Sequence, residues 1–121
     1  MCMNKNINKS ATSTDIITDI KHYIDANFCE PLSVDSLAKR YSVYPGFITD
    51  NMKKKYHKTP QKYWTALRIA KSKGLLINTD APIPEIAKAV GYHNIYVYCR
   101  AFKQLEGMSP AEFRSNFQEK Y

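Results

Sequence analysis

The feature that most constrains this chain is an internal repeat. Val34, Leu37, Ala38 and Tyr41 have the spacing of Ile83, Ile86, Ala87 and Val90, at an offset of 49. One residue is then inserted and the offset becomes 50. Phe47, Ile48, Met52 and Lys53 now fall on Val97, Tyr98, Phe102 and Lys103. Thr59, Pro60 and Tyr63 fall on Ser109, Pro110 and Phe113. Each half reads as a short amphipathic helix, a tight turn, a longer helix and a capped helix start. A short helix joined to a second by a four-residue turn is the helix-turn-helix arrangement. Glycine is scarce, at four residues, and few strand-like alternations occur. The sequence therefore predicts an all-α protein of about seven helices. Two helix-turn-helix subdomains, over residues 13–58 and 78–121, are joined by a long connecting helix over 59–77, and residues 1–12 form a flexible tail.

The punctuation agrees with this reading. Ser13 opens a first helix with an apolar stripe of Ile16, Ile20, Tyr23 and Ile24. Ser33 is an N-cap, Pro45 and Pro84 start helices, and Thr59-Pro60 is an N-cap with proline at the first helical position. Asn94 caps the helix that Gly107 ends, and Ser109 to Glu112 is a capping box. The small Ala38 and Ala87 permit two helices to cross closely. Gly91 supplies the left-handed backbone a sharp turn needs, and its counterpart Ser42 fits that conformation less well. His57 stands where the second half has Gly107, so a different cap is expected there.

Charge becomes informative once it is located. The net charge is +7, and residues 41–75 hold eight basic residues against one acid, Asp50, while both flanks are balanced. A local basic excess is the electrostatic footprint of a polyanion partner, or simply a solvated lysine-rich face. No apolar run reaches membrane-spanning length, and the polar N-terminus lacks a secretory segment, so no membrane partner is expected. Cys2, Cys29 and Cys99 are too few and too scattered for a disulfide framework, which points to a reducing, cytoplasmic setting. His22, His57 and His93 have no metal-ligand spacing. No phosphate loop or nucleophile constellation occurs, so neither an enzyme nor a cofactor is expected.

"IPEIAKAVGY", "CRAFKQLEGMSPAEFR" and "LSVDSLAKRYSV" resemble the DNA-binding domain of the AraC/XylS family of transcription regulators, from about Ile16 to Arg114. The resemblance implies seven helices and two recognition helices, set into successive major-groove segments of double-stranded DNA. It implies a transcription regulator, with activation the favoured sign and RNA polymerase a candidate protein partner. A monomer would suffice, since one chain already carries two half-readers. Only about a dozen residues precede the first helix, so the chain is either a stand-alone regulator or a piece of a longer one.

The second recognition helix begins near Ile95. With Tyr98 and Phe102 turned inward, Ile95, Tyr96, Cys99 and Arg100 are expected to face outward as base readers. Arg100 could bond guanine O6 and N7 together, Ile95 and Cys99 could pack on thymine methyls, and Tyr96 could do so or bond a phosphate. His93, Asn94 and Lys103 are candidates for the phosphate backbone, Asn94 doubling as N-cap. In the first half the outward positions are Gly46, Thr49 and Asp50. Asp50 stands where Arg100 stands in the second half. A carboxylate is repelled from a groove walled by phosphates unless it accepts from a cytosine amine. Lys53, Lys54, Lys55 and Lys58 can still hold phosphates. The expectation is an asymmetric reader, whose second half specifies and whose first half clamps. Arg68 would contact the DNA backbone or form an internal salt bridge. Cys99, beside Arg100, could have a lowered thiol pKa. The alternative function is a regulator acting mainly through protein contacts, with weak non-specific DNA binding.

Overall fold

The computed structural model describes residues 13–118. The expected tail over residues 1–12, with Cys2, lies outside them. Among the described residues the chain forms seven helices and no strand: α1 (Ser13–Asn27), α2 (Val34–Tyr41), α3 (Pro45–Tyr56), α4 (Pro60–Asn78), α5 (Ile83–Ala89), α6 (Ile95–Glu106) and α7 (Pro110–Phe117). Packing divides the described chain into two units. One holds residues 13–26 and Leu32–Lys62; the other holds Asn27–Pro31 and residues 63–118. Helix α4 starts in the first unit and continues in the second.

Local chemistry sets the helix starts. The Ser33 hydroxyl accepts from the Ser36 N–H at 3.0 Å, and the Ser36 hydroxyl accepts from the Ser33 N–H at 3.3 Å. Thr59 accepts from the Lys62 N–H at 3.3 Å. Before α7, Ser109 accepts from the Glu112 N–H at 3.1 Å and its own N–H donates to the Glu112 carboxylate at 2.9 Å. That backbone donor holds the Glu112 carboxyl below its ordinary value. Helix α5 begins one residue before Pro84, at Ile83.

In the first unit, Ile17, Ile20 and Ile24 of α1, Leu37 and Ala38 of α2, and Ile48 and Met52 of α3 are buried. The apolar stripe of α1 thus runs through Ile17, and Ile16 is only half-buried. Ile17, Ile20 and Ile24 are three and four apart, which is one helical face. In the second unit the core joins Ile69 and Leu76 of α4, Ile86 and Ala87 of α5, Val90, Tyr92, Tyr98 and Phe102 of the next segment, and Phe113 of α7. Helix α4 ends on side chains from α7: Arg114 donates to the Leu76 and Thr79 carbonyls, each at 3.1 Å.

The two turns close in the same way. The Val43 N–H reaches back to the Ala38 carbonyl at 3.0 Å, and the Tyr92 N–H to the Ala87 carbonyl at 2.9 Å. This is the bond of a Schellman motif, and it needs a left-handed residue in the turn. Gly91 supplies it at φ 104°, and Ser42 adopts it too, at φ 56°. The ends of α3 and α6 also match, contrary to the sequence expectation. His57 is left-handed at φ 64°, and its N–H caps Lys53 as that of Gly107 caps Lys103.

Arg68 is buried, and its role differs from both expectations. It donates from Nε to the Phe28 carbonyl and from Nη2 to the Glu30 carbonyl at 2.9 Å. Its guanidinium lies 5.3 Å from the centre of the Tyr92 ring. It thus satisfies two carbonyls of the segment after α1. A Cβ on Gly91 would come within 2.9 Å of the Cys29 carbonyl oxygen and 3.0 Å of Arg68 Nε. Gly91 is therefore fixed by contact as well as by φ.

Two glycines should respond oppositely to alanine. Nothing lies within 4 Å of a Cβ at Gly74, inside α4. Gly74→Ala should stabilise by about 1 kcal/mol and raise the melting temperature by roughly 3–6 °C. Gly91→Ala should destabilise by about 1–3 kcal/mol. Thermal denaturation followed by circular dichroism checks both, and equal melting temperatures would contradict the packing described.

Candidate nucleic-acid interface

Helix α6 carries one of two candidate faces. Asn94 sets its start: the side-chain oxygen accepts from the N–H groups of Tyr96, at 2.8 Å, and Val97, at 3.3 Å. Tyr98 and Phe102 are fully buried. Ile95 and Cys99, expected to face outward, are half-buried and pack against the same core. The reason is helical geometry. Residues 95, 98, 99 and 102 fall at i, i+3, i+4 and i+7, a single apolar stripe. Pairing Tyr98 with Phe102 alone misses that stripe's other two members.

The opposite face is open. Tyr96 is 76% exposed, and Arg100, Lys103 and Gln104 are exposed. Tyr96, Arg100 and Gln104 follow one another four residues apart, so they form one row. Gln104 was absent from the sequence-based set, although extending the row by four residues from Arg100 finds it. Val97 beside the row is also 45% exposed. His93 and Asn94 are exposed just ahead of the row.

Helix α3 presents a different face. Gly46 and Asp50 are exposed and Thr49, the counterpart of Cys99, is half-buried. Lys53, Lys54, Lys55 and Lys58 are exposed at the far end of the helix. Lys55 donates to the Thr18 hydroxyl at 2.7 Å, which ties it to α1. Asp50, Lys53 and Lys54 line a shallow open depression. Sequence reasoning passed over Tyr44, which is 68% exposed immediately before α3.

The environment of Cys99 runs against the lowering that a neighbouring Arg100 could suggest. Burial pushes its thiol pKa up, and no lowering by Arg100 offsets it. The buried Tyr98 hydroxyl is pushed up to about 12, chiefly by burial, with Ser72 acting in the opposite direction. The Ser72 hydroxyl itself donates to the Ile69 carbonyl at 2.8 Å. Among the described residues no group of three His, Cys, Asp or Glu side chains could hold a metal ion. None of the described helices is long and apolar enough to cross a membrane.

The sequence profile of a family described as a helix-turn-helix domain matches residues 37–116, which span both turns and helices α3 and α6. The chain belongs to the AraC family of helix-turn-helix proteins. The C-terminal domain of AraT, a response regulator from Geobacillus stearothermophilus, superposes with a TM-score of 0.85 at 28% identity, covering 91% of this chain and 92% of that one. The uncharacterized HTH-type transcriptional regulator YdiP of Escherichia coli (strain K12) is 29% identical over 103 residues, 85% of this chain. The bifunctional transcriptional activator/DNA repair enzyme AdaA of Bacillus subtilis (strain 168) is 33% identical over 119 residues, 97% of this chain. The chain spans 34% of YdiP and 56% of AdaA.

With its thiol pKa raised, Cys99 should be a poor nucleophile. At pH 8, iodoacetamide should alkylate it more slowly in the folded chain than in the chain unfolded in urea, as read by peptide mapping. Faster reaction in the folded state would contradict the burial assigned to it.

Proposed function

We propose that this chain is a sequence-specific, double-stranded-DNA-binding transcriptional regulator whose recognition helices are α3 and α6, with α6 the main base reader. The observation that carries this reading is the row Tyr96, Arg100 and Gln104. It is exposed along a helix whose other face is locked into the core. A base reader must be presented outward by a helix that cannot roll, and burial of Ile95, Tyr98, Cys99 and Phe102 on one stripe supplies that restraint.

In this reading Arg100 makes the paired contact to guanine O6 and N7, and Tyr96 meets a thymine methyl or a phosphate. Ile95 and Cys99 position the helix and offer the groove only their outer edges. His93, Asn94 and Lys103 border the phosphates at the two ends of α6. Lys53, Lys54 and Lys58 hold phosphates beside α3, with Lys55 partly committed to Thr18. Asp50 limits non-specific attachment or accepts from a cytosine amine. Activation is the sign we favour, since AdaA is described as a transcriptional activator, and RNA polymerase is then the candidate protein partner. We read the chain as a binding module and not an enzyme, acting as a monomer on DNA in the cytoplasm.

The test begins with selection from randomised duplex DNA at near-physiological salt, followed by titration of the enriched duplex. The wild type should lose affinity with a slope of log K on log salt of about −0.9 per phosphate neutralised. Lys54→Ala should weaken every duplex alike and reduce that slope by about one. Arg100→Ala should cost about 1–3 kcal/mol on the enriched duplex and relax the preference at one position. No enriched sequence, or an Arg100→Ala variant with unchanged preference, would contradict the reading.

A further inference from the structure

We propose that Tyr44 is a base-contacting, specificity-determining residue of the first half, with its ring standing in for the side chain that Gly46 lacks. This deepens the DNA-binding reading above and rests on it. At the offset of 50 that relates the two recognition helices, Gly46 is the counterpart of Tyr96, and Tyr44 is the counterpart of the capping Asn94. The roles are exchanged. Asn94 caps and Tyr96 projects 76% exposed; Tyr44 makes no side-chain cap and is itself 68% exposed.

The ring does not extend away from the helix. A Cβ built on Gly46 would lie 3.4 Å from Tyr44 Cε2 and 3.5 Å from Cδ2, so the ring lies beside the bare backbone at that position. Its other support is Phe47, whose ring meets it edge-on at 6.0 Å between centroids and 68° between planes. A tyrosine held this way has only two side-chain torsions and is already restrained by its neighbours, so little ordering entropy is lost on contact. Its occupant is a DNA duplex because Lys53, Lys54 and Lys58 stand exposed near the other end of the same helix, where they attract phosphate. In the groove, the ring edge would meet the C5-methyl of a thymine and thereby select an A·T pair. Gly46 is then small so that Tyr44 can lie over it. A reading side chain enters from the cap instead of from the first turn.

The experiment uses the full chain and the duplex recovered by selection, with a panel carrying each single-base change. Affinities are measured for wild type, Tyr44→Ala, Tyr44→Phe and Gly46→Ala, after melting curves show that each variant is folded. Tyr44→Ala should bind the preferred duplex about 5- to 100-fold more weakly and lose discrimination at one A·T position. Tyr44→Phe and Gly46→Ala should keep that discrimination, since the ring edge survives and a contact of 3.4 Å is ordinary. An unchanged panel for Tyr44→Ala would overturn the proposal and leave the DNA-binding reading standing. Uniform weakening across the panel would also overturn it, reducing Tyr44 to a phosphate contact. Failure of the wild type to prefer any duplex would overturn the underlying reading, and this proposal with it.

Discussion

Two backbone hydrogen bonds carry the fold: Val43 N–H to the Ala38 carbonyl, and Tyr92 N–H to the Ala87 carbonyl. Each closes the corner between a short helix and the longer helix that follows, α2 to α3 and α5 to α6. The bond forms only if the residue before the donor is left-handed, which Ser42 and Gly91 are. It brings the second helix across the first, and the accepting residue is in both cases a buried alanine, small enough for close approach. The corner bonds obey the offset of 49, and the helix caps that follow, Tyr44 and Asn94, obey the offset of 50. The inserted residue is therefore His93. It gives the second half one more residue between its corner and its helix.

That single residue accompanies a division of chemistry. In the second half the cap position is held by an asparagine that caps, and the first turn carries the exposed tyrosine. In the first half a tyrosine holds the cap position and a glycine stands two places later. Charge diverges in the same way: Asp50 faces outward where Arg100 does, and the cations of the first half gather at the end of α3. Lysines at that end also complement the helix dipole, so their placement favours the helix whether or not DNA is bound. One architecture thus supports two unlike faces, because neither face takes part in the corner or the core.

Much of this was legible in the sequence because it is local. Caps at Ser33, Thr59, Asn94 and Ser109, the left-handed Gly91 and Gly107, and the buried pairs Leu37–Ala38 and Ile86–Ala87 depend on neighbours within a few residues. What was misread depends on packing. Tyr98 and Phe102 alone, the two fully buried aromatics of α6, do not fill its apolar stripe, which Ile95 and Cys99 complete. The partners of Arg68 lie about forty residues away in the chain, and carbonyl oxygens leave no mark in a sequence. Tyr44 escaped because a repeat alignment pairs positions, whereas the ring beside Gly46 belongs to a residue two places earlier.

The most direct measurement is amide chemical-shift mapping of the isotopically labelled chain as the selected duplex is added. If α3 and α6 are the recognition helices, the largest changes should fall on residues 44–50 and 93–104, with smaller ones along the lysines that end α3. Amides of α1 and the buried core positions of α4 should move little. Changes concentrated on α1 or α7, with α6 unmoved, would contradict the assignment of the reading face.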